Sequence, residues 1–473
     1  MEVSQKSQLI YDPIYGFIKL TPVEWKIIHT AFYQRLRWIK QLGTSFYVFP
    51  GAEHSRFGHS IGVLNNAHRI LKSIGLAVSE AELLDDKCQT EEKNFHQSLR
   101  LGALMHDLGT FCFSHTTEAA YISFGETTNV KGGKKLKDDH ENLGAYIIKN
   151  TNFEGGITSI LEEYNIDPQY ISDLVKGVDK SIIASQILHS EIDCDRMDYL
   201  LRDAHYTGLN YGTYDRDYLL HHFQMKKINE HRILTIKHNA IHCVEDFLMS
   251  RFAWYSQVIR SPRGSRYDAI VEKITFYMLE KGLIYRYSDL LEMISSDPMK
   301  FLHYNDNYFM ATVNSSLANG EFDGVQEMKD MVLTFLLEKG TRTIRLPEFE
   351  HRLVEQGSTE AKKLMRKAYQ KVEEIQALLS KKGKKEDWMI ADFPRKDIIF
   401  IKSKANIIKD TKSENVLIER DPVKISYEGG NVRLLADVED SIISRLHDQA
   451  HFTPNLFCSH SAYEILVAEG YIE

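Results

Sequence analysis

The chain has no apolar run long enough to cross a bilayer. Its opening residues, MEVSQKSQLIYDP, lack the charged, apolar and small-residue layout of a signal peptide. Cysteine is scarce: the five residues Cys88, Cys112, Cys194, Cys243 and Cys458 are odd in number, scattered and without CxxC spacing. That excludes a disulfide framework and reads as reduced thiols, so a cytoplasmic location is expected. A basic excess is also missing, with 58 Lys and Arg against 66 Asp and Glu for a net charge of −8. Neutralising phosphate supplies most of the affinity for long nucleic acids, so this balance argues against stable nucleic-acid binding. A local basic pocket for a small anion remains compatible with it. No internal repeat of roughly 20–50 residues is evident.

What is present is an ordinary globular balance, 43% hydrophobic and 26% charged over 473 residues, enough for a large core and more than one domain. The first 300 residues read as helices. From Glu24 to Leu42, apolar residues recur at Ile28, Phe32, Leu36 and Ile39, the spacing of one buried face. His59–Ser73, Phe95–Leu108, Glu141–Ile148, Ser190–Ala204 and Ala240–Ile259 have the same texture. Turn chemistry interrupts them at Pro50-Gly51, Gly132-Gly133 and Gly208/Gly212. The polar, Gly/Lys-rich stretch Asn129–Asp139 predicts a mobile loop. Further on, Thr359–Ser380 predicts a charged amphipathic helix whose Lys381–Lys385 end is solvated. Ile398–Ile401 and Val432–Leu435 predict a small sheet. The expected fold is mainly α, with a helical core over residues 1–300 and a smaller mixed α/β region over 301–473.

The segment LGALMHDLGTFCFSHTTE (residues 101–118) carries the most chemistry. His106 and Asp107 are adjacent at the end of an apolar helical stretch, and Gly109 follows. Imidazole nitrogen and carboxylate oxygen together suit a divalent metal such as Mn, Fe, Zn, Ni or Mg, which the ligand types do not distinguish. An isolated His-Asp dipeptide is more often an unrelated pair at a helix end. Three further segments change that reading. AEHSRFGHSIGV (52–63) places Arg56 and His59 at the start of a helix. SEIDCDRMDYLLRDAHYTGLNYG (190–212) puts Asp195, Asp198, Arg202 and Asp203 on a helix that is otherwise apolar. DDHENLGAYII (138–148) puts His140 at a helix start, where His is not a favoured cap. Imidazoles and carboxylates at the inner ends of apolar helices are costly to bury unless paired or metal-bound.

With DPIYGFIKL (12–20), RLRWIKQLG (35–43) and YTGLNYGTYD (206–215), these motifs stand in one order between about Tyr11 and Gln257. In this the sequence resembles the HD-domain dNTP triphosphohydrolases, including bacterial dGTPase-like and sterile-alpha-motif-and-HD-domain proteins. The resemblance implies an HD-domain helical core and a metal set of His59, His106, Asp107 and Asp195, with coordination positions left for water and a phosphate oxygen. His115 and Glu118 match the family's catalytic His and its carboxylate partner. Their i, i+3 spacing shares one helical face, where Glu118 can orient the imidazole and raise its pKa. Arg56, His140, Arg196 and Arg251 match phosphate-holding positions, and Gln41, Tyr199 and Asp203 match positions near the sugar. The alternative for Asp203 is an ion pair with Arg202. The resemblance further implies a nucleotide substrate and a homo-oligomer, and it admits an activating nucleotide.

Two departures qualify the match. Thr110 stands where HDxGH would have its second His. Val258-Ile259-Arg260-Ser261-Pro262 stands in place of VYxHK, removing a Tyr, a His and a Lys at Ile259, Ser261 and Pro262. Arg260 and Arg263 are candidate substitutes, although Pro262 is expected to end the helix. Three functions stay open: hydrolysis of a deoxynucleoside triphosphate to deoxynucleoside and triphosphate, the same chemistry on another phosphate ester, and nucleotide binding without turnover.

Overall fold

The computed structural model describes residues 8–85, 89–126, 137–338, 341–344, 352–355, 358–392, 398–399, 417–446, 449–452 and 455–472. Helices account for 61% and strands for 11%, so the fold is mainly α around a helical core, with smaller mixed α/β parts. Among the described residues, no helix is long and apolar enough to cross a membrane. Most of the stretch Asn129–Asp139 lies outside the described residues.

The helices that matter for function begin where short polar side chains satisfy otherwise unpaired backbone N–H groups. Thr90 caps Glu91–Met105, Asp139 caps His140–Asn150 and Asp193 caps Cys194–Thr207. The stretch Glu24–Leu42 departs from the single helix its periodicity predicts. It forms Pro22–Ile28, then Ala31–Gln34, then a 3-10 turn at Arg35–Trp38. The cause is Thr30, whose hydroxyl accepts from the Tyr33 N–H at 3.3 Å and starts a new helix. Ile28, Phe32, Leu36 and Ile39 are buried all the same.

One continuous apolar core runs from Ile18 to Phe335 and also takes in Trp388, Ile390, Val423, Ile425 and Phe457 from the C-terminal part. A second, smaller core packs the Thr359–Lys382 helix, through Leu364, Val372 and Ile375, against Val354, Phe452 and Leu466. The small sheet expected from Ile398–Ile401 and Val432–Leu435 is two separate sheets. Ile398–Ile399 pairs with Gln449–Phe452. Val432–Leu434 pairs with Lys424–Ser426, which runs parallel to His231–Lys237 and so joins a four-stranded sheet on the helical core. Late sequence is thereby brought back against the core.

Candidate functional site

His59 lies one turn into the Arg56–Ser73 helix, His106 and Asp107 follow directly on Glu91–Met105, and Asp195 is the second residue of Cys194–Thr207. Their donor atoms converge. His59 Nε2 is 3.1 Å from Asp195 Oδ1 and 3.6 Å from Asp107 Oδ2. His106 Nε2 is 3.2 Å from His59 Nε2, 3.5 Å from Asp107 Oδ2 and 3.7 Å from Asp195 Oδ1. Metal bonds of about 2.0–2.2 Å at right or tetrahedral angles separate neighbouring donors by roughly 3.0–3.5 Å.

The proton positions make the argument chemical. His106 Nδ1 donates to the Ala103 carbonyl at 2.8 Å, which can only accept. His59 Nδ1 faces the Asp198 carboxylate at 2.7 Å. With Nδ1 engaged in this way, each ring turns its Nε2 into the same space as the Asp107 and Asp195 carboxylates. Burial alone would lower the His59 pKa, but Asp195 and Asp198 outweigh it and hold it up to about 9. The pocket selects positive charge, which a divalent cation can supply in place of the proton.

A buried chain of charges orients this group. Asp198 accepts from Arg202 Nε at 2.8 Å, and Arg202 also pairs with Asp12 at 2.9 Å. Gly62 is required for it: a Cβ there would sit 1.8 Å from Asp198 Oδ1. On the other side Arg56 donates to Asp107 Oδ2 at 2.6 Å and to Ser114 Oγ at 3.0 Å. Burial would raise the Asp107 pKa, yet Arg56 and the neighbouring imidazoles hold it well below the usual carboxylate range.

His115 and Glu118 occupy the first turn of the His115–Phe124 helix. The preceding residues, Phe113 and Ser114, both have positive φ, of 51° and 56°. Neighbours hold that strained turn: Phe113 N–H donates to Asp306 at 2.7 Å and Ser114 Oγ to the Lys40 carbonyl at 2.6 Å. Glu118 is shared. Its Oε2 is 2.6 Å from His115 Nδ1, while Oε1 is 2.6 Å from His140 Nδ1 and accepts the His140 backbone N–H at 2.8 Å. Burial would lower the His140 pKa, but Glu118 raises it to about 9. Glu118 itself is driven well below the usual range despite its burial, first by His140 and then by His115.

His106, Asp107, His115, His140 and Asp195 line a cavity of about 860 Å³ together with Gln41, Arg56, Arg196, Tyr199 and Asp203. Asp203 Oδ1 accepts from His54 Nε2 at 2.8 Å, so its partner is His54 and not Arg202. Asp203 Oδ2 and Gln41 Oε1 are buried without a hydrogen-bond partner among the described residues. Tyr199 stacks on Trp254 at 4.6 Å. Arg196 is tied to Asp193. Arg251 departs from its expected place: it is buried and pairs with Glu191 at 2.6 Å, away from the cavity lining. The helix Ile241–Trp254 continues as a π-helical turn, Tyr255–Ile259, and ends before Pro262, which opens the next helix. Ile259 and Arg260 line the cavity, with Arg260 3.0 Å from Asp392, whereas Arg263 pairs with Glu338 on the surface. Thr110 is buried, and its hydroxyl donates to the Asp107 carbonyl at 2.8 Å.

Sequence reasoning gave no role to His54, Lys176, His189, Asp268, Asp392 or Arg420, all placed in or beside the cavity. His54 lies inside the quoted motif AEHSRFGHS. The others lie in segments without a motif, so no local signal marked them.

A model of the HD domain matches residues 56–203, the span from Arg56 to Asp203, so this part of the chain is an HD domain. It is 33% identical over 272 residues to the uncharacterized protein YwfO of Bacillus subtilis, covering 57% of this chain and 55% of that protein. It is 30% identical over 230 residues to the deoxynucleoside triphosphate triphosphohydrolase SAMHD1 of Homo sapiens, covering 43% of this chain and 34% of that one. The chain thus spans about half or less of the length of these curated relatives. Its fold is similar to the crystal structure of a hypothetical protein from Aquifex aeolicus, with a TM-score of 0.67 at 20% identity, over 98% of this chain and 100% of that one.

Proposed function

We propose that the protein is a divalent-metal-dependent phosphohydrolase that converts deoxynucleoside triphosphates to deoxynucleoside and inorganic triphosphate. The observation that carries this reading is that donor atoms of His59, His106 and Asp107 lie within 4.8 Å of one another beside a large cavity, with Asp195 Oδ1 3.1 Å from His59 Nε2 and 3.7 Å from His106 Nε2. Two imidazole nitrogens set among carboxylates favour a cation, and His59, His106, Asp107 and Asp195 would hold it. When bound, that ion would polarise a phosphate and lower the pKa of a coordinated water.

The chain's own residues supply the rest. Arg56 braces Asp107, while Arg196 and the raised His140 offer positive charge to phosphate oxygens. Glu118 engages His115 Nδ1, leaving Nε2 to give a proton to the departing sugar oxygen. Asp203 Oδ2 and Gln41 Oε1, both without partners among the described residues, suit a sugar hydroxyl, and the Tyr199 ring, stacked on Trp254, lines the same cavity. The triphosphohydrolase name of the human relative supports the substrate class.

The test incubates metal-loaded protein with a panel of dNTPs, NTPs and lower phosphates and separates the products. Deoxynucleoside and tripolyphosphate in equal amounts are expected. Orthophosphate or pyrophosphate as the first product would favour another phosphate ester instead.

A further inference from the structure

We infer that Arg420, from a segment far outside the HD domain, binds the end of a polyphosphate remote from the metal-held phosphate. This assignment rests on the phosphohydrolase reading above. The position of Arg420, its neighbours and the turn that holds it point to this role. Arg420 lines the same cavity as His106, Asp195 and His140, beside Lys176, His189 and Glu141. Its charge acts on two of those neighbours: it adds to the burial that lowers His189, and it slightly opposes the burial that raises Glu141. His189 cannot itself supply charge at neutral pH, because burial above all, with Arg420, pushes it down to about 4.

The guanidinium is fixed on one side and open on the other. Nε donates to Asp421 Oδ1 at 2.8 Å and Nη1 points to the Gly177 carbonyl at 3.4 Å. Nη2 has no hydrogen-bond partner among the described residues. Gly177, at φ +62°, is what lets the arginine approach: a Cβ there would lie 2.8 Å from Nη1 and 3.2 Å from the His189 ring. A planar fork with one free edge matches a phosphate oxygen.

The turn that presents Arg420 is anchored from within. Lys424 is almost wholly buried, and its ammonium donates to the Glu419 and Pro422 carbonyls, both at 2.7 Å. Those carbonyls bracket Arg420 and Asp421. Lys424 also opens the strand Lys424–Ser426, which docks on His231–Lys237. Burying a lysine is costly unless its donors are used, and here they fix the turn against the core.

The cavity also has an opening for this charge. Arg56 and Arg196 are engaged by Asp107 and Asp193, Arg251 is bound to Glu191 away from the lining, and Pro262 stands where the resembled family has a lysine. Arg420 and Lys176 line the cavity that also holds His106, Asp107 and Asp195, and supply the charge for a distal phosphate.

The test measures binding of two probes, inorganic tripolyphosphate and inorganic phosphate, to the metal-loaded full chain by calorimetry. Arg420→Ala should raise the tripolyphosphate Kd about tenfold or more, the worth of one charge-assisted contact. Metal content and the phosphate Kd should be unchanged, because the short probe sits at the metal. Lys424→Met should weaken tripolyphosphate in the wild-type background and add nothing on top of Arg420→Ala. Wild-type protein that ignores tripolyphosphate would overturn the phosphate reading and this assignment together. Wild type that binds it while Arg420→Ala binds equally well would overturn this assignment alone. Equal weakening of both probes would put Arg420 at the metal end and contradict the distal placement. A Lys424→Met effect of the same size in both backgrounds would remove its positioning role.

Discussion

At Asp203 one carboxylate oxygen is satisfied by His54 and the other has no hydrogen-bond partner among the described residues. A buried acceptor without a donor costs free energy, and a ligand hydroxyl in the cavity would offset it. Tyr199 lines the same cavity, and in the proposed sugar site its ring would exclude a second hydroxyl. Deoxynucleoside triphosphates should therefore be turned over about two orders of magnitude faster than the matching ribonucleotides. Steady-state rates on dATP and ATP check this, and equal rates would tell against the placement of Asp203 and Tyr199 beside the sugar. Residue type and order were legible in the sequence for the converging groups because HDLG, HSRFGH and DCDRMDY are compact motifs. Partnership was not. Asp203 and His54 are 149 positions apart, and nothing local says that His54, not the adjacent Arg202, is the partner. Arg251 teaches the same point in reverse: its type suits phosphate, but Glu191, 60 positions away, holds it.

The first turns of the His115–Phe124 and His140–Asn150 helices meet across a single carboxylate. Glu118 lifts His140 from 6.5 to about 9 against its burial. A group raised in the folded state stabilises fully below its unfolded pKa and loses that contribution as pH rises through the folded value. His140→Asn should therefore lower Tm at pH near 6.5, and the gap from wild type should close as pH passes about 9. Melting curves across that range check it, and a gap that stays constant would show that the charge on His140 contributes nothing. Helices were legible from their 3.6-residue periodicity, since one apolar face needs only local spacing. The break at Thr30 was not, because one hydroxyl cap overrode an unbroken apolar stripe. Nor could Ile398 and Val432 reveal that they enter different sheets, because a short β-branched run specifies a strand and not its neighbour.

The whole molecule surrounds its cavity with parts from both ends of the chain, from Gln41 to Arg420. That the late sequence folds back, through the parallel pairing of Lys424–Ser426 with His231–Lys237, is a topological fact that composition and motifs do not encode. The central claim is that His59, His106, Asp107 and Asp195 form a hydrolytic metal centre beside a separate proton donor. Metal content and turnover measured on the same samples of wild type, Asp107→Ala and His115→Ala test it most directly. Wild type should carry metal and turn over substrate, and Asp107→Ala should lose both. His115→Ala should keep its metal while turnover falls roughly 10²–10⁴-fold, the usual worth of a positioned acid. Full metal content in Asp107→Ala, or near-wild-type turnover in His115→Ala, would contradict the account.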